Sequence, residues 1–336
     1  MSKHNNDDVV VAVTKAASGV VRTINDGRCL YYYPREVEYA MRHGLCDIAR
    51  RPDFIREYKA LIRGLPAESV ATVSRIISRL QRIKGLTGRL DIYSEAEKLI
   101  LADVNRIRDE VFAVADDCFC YRTYFLPVNN FMPCVFHYRY GLDLLSNKAA
   151  LRSKCVIDVG AYVGDSALIL SEFTRRRVYA FEASPDNFRY LLRTIALNGL
   201  KRVIPENLAL GSRTCEAVLD GTGDLCMARR AKGASDVGIH CEMTTLDDYV
   251  SSKRLEVGLI KVDIEGGERD FLAGARKTIV SQRPALLISI YHSADDLLLI
   301  KPMIERLRAG YAFRIYHPVI KSVFAETLLV CEPKKD

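Results

Sequence analysis

Four stretches of this chain carry side chains able to act together on a ligand. The first reads Leu259-Ile-Lys261-Val-Asp263-Ile-Glu265-Gly-Gly-Glu268. If strand alternation persists through it, Lys261, Asp263 and Glu265 share a side. Charged groups at the end of an apolar strand are costly unless paired or used, so the plain alternative is a structural Lys–Asp pair ahead of a Gly-Gly turn. The second, Ile288-Ser-Ile-Tyr291-His292, ends in a histidine suited to general-base work near neutral pH. The third is Val156-Ile-Asp158-Val-Gly160-Ala161-Tyr162-Val-Gly164-Asp165-Ser166. Its glycines permit a tight turn and close approach of the backbone to a ligand, with Asp165 or Ser166 as the expected helix cap. A dinucleotide fingerprint needs a third glycine, and Asp165 at the helix start would repel a pyrophosphate. A cationic, amino-acid-bearing nucleotide suits the loop better. The fourth, Tyr179-Ala-Phe-Glu182, ends in a carboxylate able to accept hydrogen bonds from both ribose hydroxyls.

These residues need a scaffold, and the apolar pattern supplies one. From Cys155 onward, short buried runs alternate with helical segments. Strands are expected at Cys155–Val159, Val178–Phe181, Val203–Leu210, Leu259–Val262, Ala285–Tyr291, Tyr311–Tyr316 and Thr327–Cys331. Helices fall at Asp165–Phe173, Pro185–Asn198, around Phe271–Val280 and after the cap Ser293. Such alternation means a doubly wound α/β domain, over 151–336, with ligands at the carboxyl ends of the strands. Residues 1–30 read as a loosely ordered, flexible segment. Residues 31–150 read as a mainly helical region, with helices from Asp53 to Gly64, from Pro66 to Gly85, and from the capping box Ser94-Glu-Ala-Glu97. That last helix is expected to turn Leu99, Ile100, Val104, Ile107 and Val111 inward. Cys118–Leu145, rich in aromatics and prolines, reads as a connector packed against the domain.

Composition narrows the classes. With 49% apolar and 27% charged residues in 336, the chain is an ordinary globular one. It has no apolar run long enough for a membrane span, and its polar, acidic start is a poor signal peptide, so a cytoplasmic protein is expected. Its ten cysteines lack paired C-x-x-C spacing and read as buried free thiols rather than zinc ligands. Between Arg42 and Arg89 lie eleven bases against four acids. That face is either a solvated helical surface, the favoured reading, or a dock for an acidic partner.

Taken in order, the chain from about Cys155 to Glu332 resembles the FkbM-type S-adenosylmethionine-dependent methyltransferases. The resemblance rests on the Asp158–Ser166 loop, Tyr179-Ala-Phe-Glu-Ala-Ser-Pro-Asp-Asn-Phe188, Asn198-Gly-Leu200 and Ala209-Leu-Gly211. It continues through Thr244-Thr-Leu-Asp-Asp-Tyr249, Lys261–Glu268, Gly274-Ala275 and Arg283-Pro284. Pro133–Gly141 looks like the lead-in of members with an extra N-terminal helical region. One departure lies in the fifth strand, where many members place an acid and this chain has Ser289 and then Tyr291-His292.

The resemblance implies a class I fold, a seven-stranded sheet with an antiparallel last strand, and S-adenosyl-L-methionine as cofactor. It also implies methylation of a hydroxyl on a sugar, glycan or natural product. Asp158, Gly160, Ala161, Tyr162, Gly164 and Ser166 would shape the methionine and ribose pocket. Glu182 would hold the ribose, and Asn207 to Ala209 would border the adenine. His292 is the first choice of base, as a neutral imidazole, and Asp263 the second. Lys261 would pair with Asp263 or steady the alkoxide. Asp263 and Glu265 would allow a divalent metal, but no complete ligand set is visible, so no metal ligand is assigned. The basic Asp220–Cys241 insertion and the aromatic Tyr121–Tyr140 segment are expected to line the acceptor site. Homo-oligomers fit this reading, and a nucleic-acid substrate is disfavoured because no Asn/Asp-Pro-Pro-Tyr segment occurs. A nicotinamide oxidoreductase and a catalytically silent binding protein using the basic region are the competing classes.

Overall fold

The computed structural model describes residues 14–16, 19–21, 34–84, 92–220, 227–231 and 238–334. Its centre is a seven-stranded sheet. In chain order the strands are β1 (Cys155–Val159), β2 (Val178–Phe181), β3 (Val203–Glu206), β4 (Val257–Val262), β5 (Ala285–Ser289), β6 (Tyr311–Tyr316) and β7 (Leu328–Pro333). They lie side by side as β6-β7-β5-β4-β1-β2-β3. β1 to β5 pair in parallel, and β7 runs antiparallel between β5 and β6. This is the doubly wound, class I methyltransferase arrangement expected. β1, β2, β4 and β5 are buried at every position, which is why they read as unbroken apolar runs rather than alternating ones. The order reverses between β1 and β4, so a crevice opens at their carboxyl ends.

The N-terminal helices α1 (Pro34–Arg42), α2 (Phe54–Ile62), α3 (Ala67–Ile83) and α4 (Glu95–Asn105) do not form a separate body. Leu45, Ile48, Leu61, Val73, Ile76 and Leu80 share one buried cluster with Ile260, Ile288 and Ile300. Most of the Arg42–Arg89 bases are paired. Arg51 contacts Glu57 and Asp295, Arg63 contacts Glu305, Arg79 contacts Glu97, and Lys84 contacts Asp47. Several of those acids come from outside the stretch, which is why a local count of charges overstated the excess. Arg89 lies outside the described residues.

Elsewhere tertiary structure changed the expectation. The Ser94 capping box forms, yet Leu99 is 75% exposed and Ile100 41%. Val104 and Ile107 are buried as expected, and Leu101 joins them, while Glu97 on the first turn of α4 pairs with Arg79 at 2.6 Å. Val203–Leu210 divides into β3 and a two-residue strand, Ala209–Leu210, that joins another sheet. The segment around Phe271–Val280 is two helices, α7 (Glu268–Gly274) and a second at Arg276–Gln282; α5 (Asp165–Phe173) and α6 (Pro185–Asn198) have the bounds expected. What was expected as an irregular insertion supplies strands Met227–Arg230 and Ile239–Thr244 to a four-stranded sheet. Its residues 221–226 and 232–237 lie outside the described residues. Of the segment expected to be loosely ordered, strands Thr14–Ala16 and Gly19–Val21 pair antiparallel, and the rest lies outside the described residues. The connector supplies strands Cys118–Tyr121 and Tyr124–Leu126 to a three-stranded sheet completed by Val111–Ala115, and then short helical turns, with Tyr121, Phe131 and Phe136 packed together. The described cysteines are free thiols; Cys29 and Cys226 lie outside them. Among the described residues no helix is long and apolar enough to cross a membrane.

Candidate active site

At the carboxyl end of β1 the chain turns through Gly160, whose φ is +77°. A Cβ there would lie 1.8 Å from the Asp263 carbonyl oxygen. Only glycine lets the loop after β1 rest against the loop after β4. Gly160 and Ala161 donate their amides to the Phe181 carbonyl at 3.0 and 2.9 Å, which ties the loop to β2. Gly164, in the left-handed region, caps α5. Asp165 or Ser166 was the expected cap; each instead lies in the first turn. The Ser166 hydroxyl donates to Asp158 Oδ2 at 2.7 Å. Asp165 is buried and accepts the Ser166 amide at 2.8 Å; burial pushes its carboxyl up to about 6.

Glu182 follows β2. Its carboxylate accepts the amides of Tyr162 and Ser184, each at 2.8 Å. Burial raises its pKa to about 7 against the pull of those amides. Two buried amide bonds fix the group in place, and a carboxylate has further lone pairs to offer. Asn207 donates to the Glu182 and Ala183 carbonyls at 2.7 and 3.2 Å, bracing the turn. Ala209 pairs with Met243 in the smaller sheet and is buried there.

Lys261 does not pair with Asp263 as expected. β4 stops at Val262, so alternation breaks before Asp263. The Lys261 ammonium, fully buried, sits 3.1 Å from Asp158 Oδ1 and donates to the Gly160 carbonyl at 2.5 Å. Its partner Asp158 outweighs the burial that would strip its proton, and its pKa rises. Lys261 therefore holds the glycine loop.

The loops after β4 and β5 meet in a second polar cluster. His292 is 1% exposed. Its Nε2 lies 3.3 Å from Asp263 Oδ1 and 3.6 Å from Glu265 Oε1, and its Nδ1 lies 3.0 Å from Glu268 Oε1. None of these contacts has hydrogen-bond geometry, and Glu268 Oε2 is also buried without a hydrogen bond. Burial alone would lower the histidine pKa. Glu268, then Asp263 and Glu265, more than reverse this and push it well above the usual imidazole range. That shift favours the imidazolium over the neutral imidazole expected. Asp263 is held down at about 2: burial opposes this, and His292 prevails. The Tyr140 hydroxyl donates to Asp263 Oδ2 at 2.9 Å and Tyr291 to Oδ1 at 3.4 Å. Tyr39 on α1 donates to the His292 carbonyl at 3.2 Å, so the helical region reaches the site.

Residues 158–313 match the Methyltransferase FkbM domain. This stretch is an FkbM methyltransferase domain. The chain also resembles the crystal structure of methyltransferase FkbM from Methylobacillus flagellatus KT, at 20% identity and a TM-score of 0.56, over 87% of this chain. It spans 62% of that protein's length. Weaker likenesses are to an rRNA methylase from Streptococcus thermophilus (13% identity, TM-score 0.36, 62% of this chain and 100% of that one). A ribosomal protein L11 methylase from Lactobacillus delbrueckii subsp. bulgaricus follows (16%, 0.31, 56% and 74%).

Within the FkbM domain, Asp158, Gly160, Ala161, Tyr162, Gly164, Ser166, Glu182 and Asn207 gather at the β1 and β2 ends. Asp263 and His292 gather at the β4 and β5 ends. Three residues were given no role from sequence. Glu268 was quoted only as the end of a motif. Tyr140 sits in the aromatic connector, with φ +50°, and only its neighbourhood hinted at it. Glu326 carried no local signal. With Cys134, Tyr138, Tyr140 and Ser289 it borders a cavity of about 20 Å³, and burial pushes its carboxyl up to about 8. Of the other histidines, His317 is half-buried and lowered to about 4 by desolvation, and His240 pairs with Glu216 on the smaller sheet.

Proposed function

We propose that this protein transfers the methyl group of S-adenosylmethionine to a hydroxyl oxygen of a sugar, glycan or natural-product acceptor. The observation that carries the reading is the contact of the two polar clusters at Gly160. One has a fixed carboxylate suited to a ribose, and the other holds carboxylates and a histidine suited to a hydroxyl. In this reading Glu182 accepts the ribose hydroxyls, the Asp158–Ser166 loop cradles the methionine portion, and Asn207 to Ala209 flank the base. The sulfonium needs little activation, so the enzyme's task is alignment of acceptor oxygen, methyl carbon and sulfur. The O–C bond forms as the C–S bond breaks. The bonding pair stays on sulfur, and the hydroxyl proton passes to a carboxylate of the Asp263, Glu265 and His292 cluster. Asp263 and Glu265 are its open face, with side chains 19% and 23% exposed. Lys261 acts by positioning the loop. Tyr138 and Tyr140, on the cavity wall, support an acceptor site beside the connector. The 31–150 region is proposed to serve the same domain, since Tyr39 and Tyr140 both come from it.

Calorimetry with S-adenosylmethionine, its demethylated product and NAD tests the reading. The first two are expected to bind saturably, and weakly or not at all to Glu182→Ala. NAD binding in their place would favour the oxidoreductase alternative. Mass spectrometry for acceptors that gain one CH2 in extracts incubated with the enzyme then identifies the substrate.

A further inference from the structure

The Asp263, Glu265 and His292 cluster has the form of a cation site. The ligating atoms of the three side chains all lie within 4.8 Å of one another. Two of the separations from His292 Nε2, 3.3 and 3.6 Å, are close to the edge of about 3 Å between neighbouring ligands around an ion bound at about 2.1 Å. The three would occupy one face of such an ion and leave the other open to the crevice. Acidic residues in a cluster are common, so the second observation matters more. The His292 ring is buried, and neither ring nitrogen makes a hydrogen bond. Its Nε2 points between two carboxylates, while Nδ1 faces Glu268 at 3.0 Å. Glu268 stands behind the ring at the place where an outer-sphere carboxylate takes the second N–H of a metal-binding imidazole, close enough to do so on a small rotation of the ring. Asp263 is oriented in the same way by the Tyr140 hydroxyl at 2.9 Å.

Charge points the same way. Asp263, Glu265 and Glu268 surround one histidine, which leaves a net negative site even when that histidine is protonated. Buried charge of one sign is expensive unless compensated. Lys261 acts on Asp263 only through space, because its ammonium is engaged directly with Asp158 and the Gly160 carbonyl.

We infer that Asp263, Glu265 and His292 bind a hard divalent cation, Mg²⁺ or Mn²⁺, against the acceptor side of the crevice. Two carboxylates and one imidazole suit such ions better than the thiolate-rich sets that favour softer metals. The use of the ion rests on the methyl-transfer reading above. There it would lower the pKa of the acceptor hydroxyl, so that the proton leaves to water and the oxygen is ready to attack. Binding of the ion does not rest on that reading.

The test is titration of the full chain, freed of metal with EDTA and exchanged into buffer, with Mn²⁺ alone. Binding is followed by the loss of the free-ion electron paramagnetic signal. One saturable site per chain is expected, weakened at least tenfold in Glu265→Gln and in His292→Gln. Mg²⁺ should displace the Mn²⁺. Glu265 lies at the open face, so its variant keeps the test intact if the histidine variant fails to fold, as near-ultraviolet dichroism would report. No saturable site, or equal affinity in wild type and Glu265→Gln, overturns the inference. S-adenosylmethionine binding, measured separately in EDTA, reports on the methyl-transfer reading alone. An intact Mn²⁺ site with no cofactor binding would therefore defeat that reading and leave the site standing.

Discussion

The two halves of the crevice are built on opposite principles. At the ends of β1 and β2, each buried charge has a partner of opposite sign or amides to accept. Glu182 takes two amides, Asp158 takes the Ser166 hydroxyl on one oxygen and faces the Lys261 ammonium with the other, which makes no hydrogen bond, and Asn207 closes the turn. At the ends of β4 and β5, Asp263, Glu265 and Glu268 crowd one histidine, and buried atoms are left without hydrogen bonds. A matched network is rigid and presents a preformed surface, as a tightly gripped cofactor requires. A mismatched one stores electrostatic free energy that a ligand or a reacting group can release, which is where chemistry is expected.

If that contrast holds, substitutions on the two sides should separate turnover from cofactor binding. Asp263→Asn should cut kcat by about a hundredfold or more, the scale of lost acid–base or electrostatic assistance. Affinity for S-adenosylmethionine should stay within about twofold; steady-state kinetics with calorimetry would check both, and an equal loss in each would erase the contrast. Glu182→Ala should do the reverse, weakening cofactor binding by about ten- to a hundredfold, as expected for hydrogen bonds to a charged group. Gly160→Ala should injure both sides together. The left-handed φ and the clash with the Asp263 carbonyl are expected to cost about 2 kcal/mol or more, visible in chemical denaturation.

Titration sharpens the same comparison. Glu182, with its pKa raised from 4.5 to about 7, holds its proton longer in the folded state than in the unfolded one. Its contribution to stability is therefore fully present below the unfolded value and lost as pH rises through about 7. Cofactor affinity should move the other way, tightening by up to about tenfold from pH 6 to 8 as the carboxylate ionises, and Glu182→Gln should flatten that slope in calorimetry. The smallest effect expected is from Ser184→Ala. Its hydroxyl caps α6, so about 1 kcal/mol of stability should be lost with cofactor affinity nearly unchanged.

Much of the cofactor half was legible because its information is local. The glycine spacing, the strand-end acid at Glu182 and the Ser184-Pro185 helix start occupy one short βαβ stretch. The acceptor half was legible only as parts. Asp263 and His292 were found at their strand ends, but of the two roles offered for Lys261 the pairing with Asp263 does not form, because the break in β4 after Val262 has no marker stronger than the Gly-Gly that follows. His292 was read as a neutral base since nothing nearby in sequence announces Glu268 behind its ring.

The order of apolar runs and turn residues determined the sheet, its helices and the place of the crevice, since periodicity and capping act over a few residues. Which charges meet inside it was decided by the fold alone. Tyr140, Ser289 and Glu326 come from distant stretches, and Tyr39 is brought in by a helix that shares the core of the sheet. Electrostatics depends on distance through space in a medium of low polarity, so the character of His292 exists only once those segments are packed together.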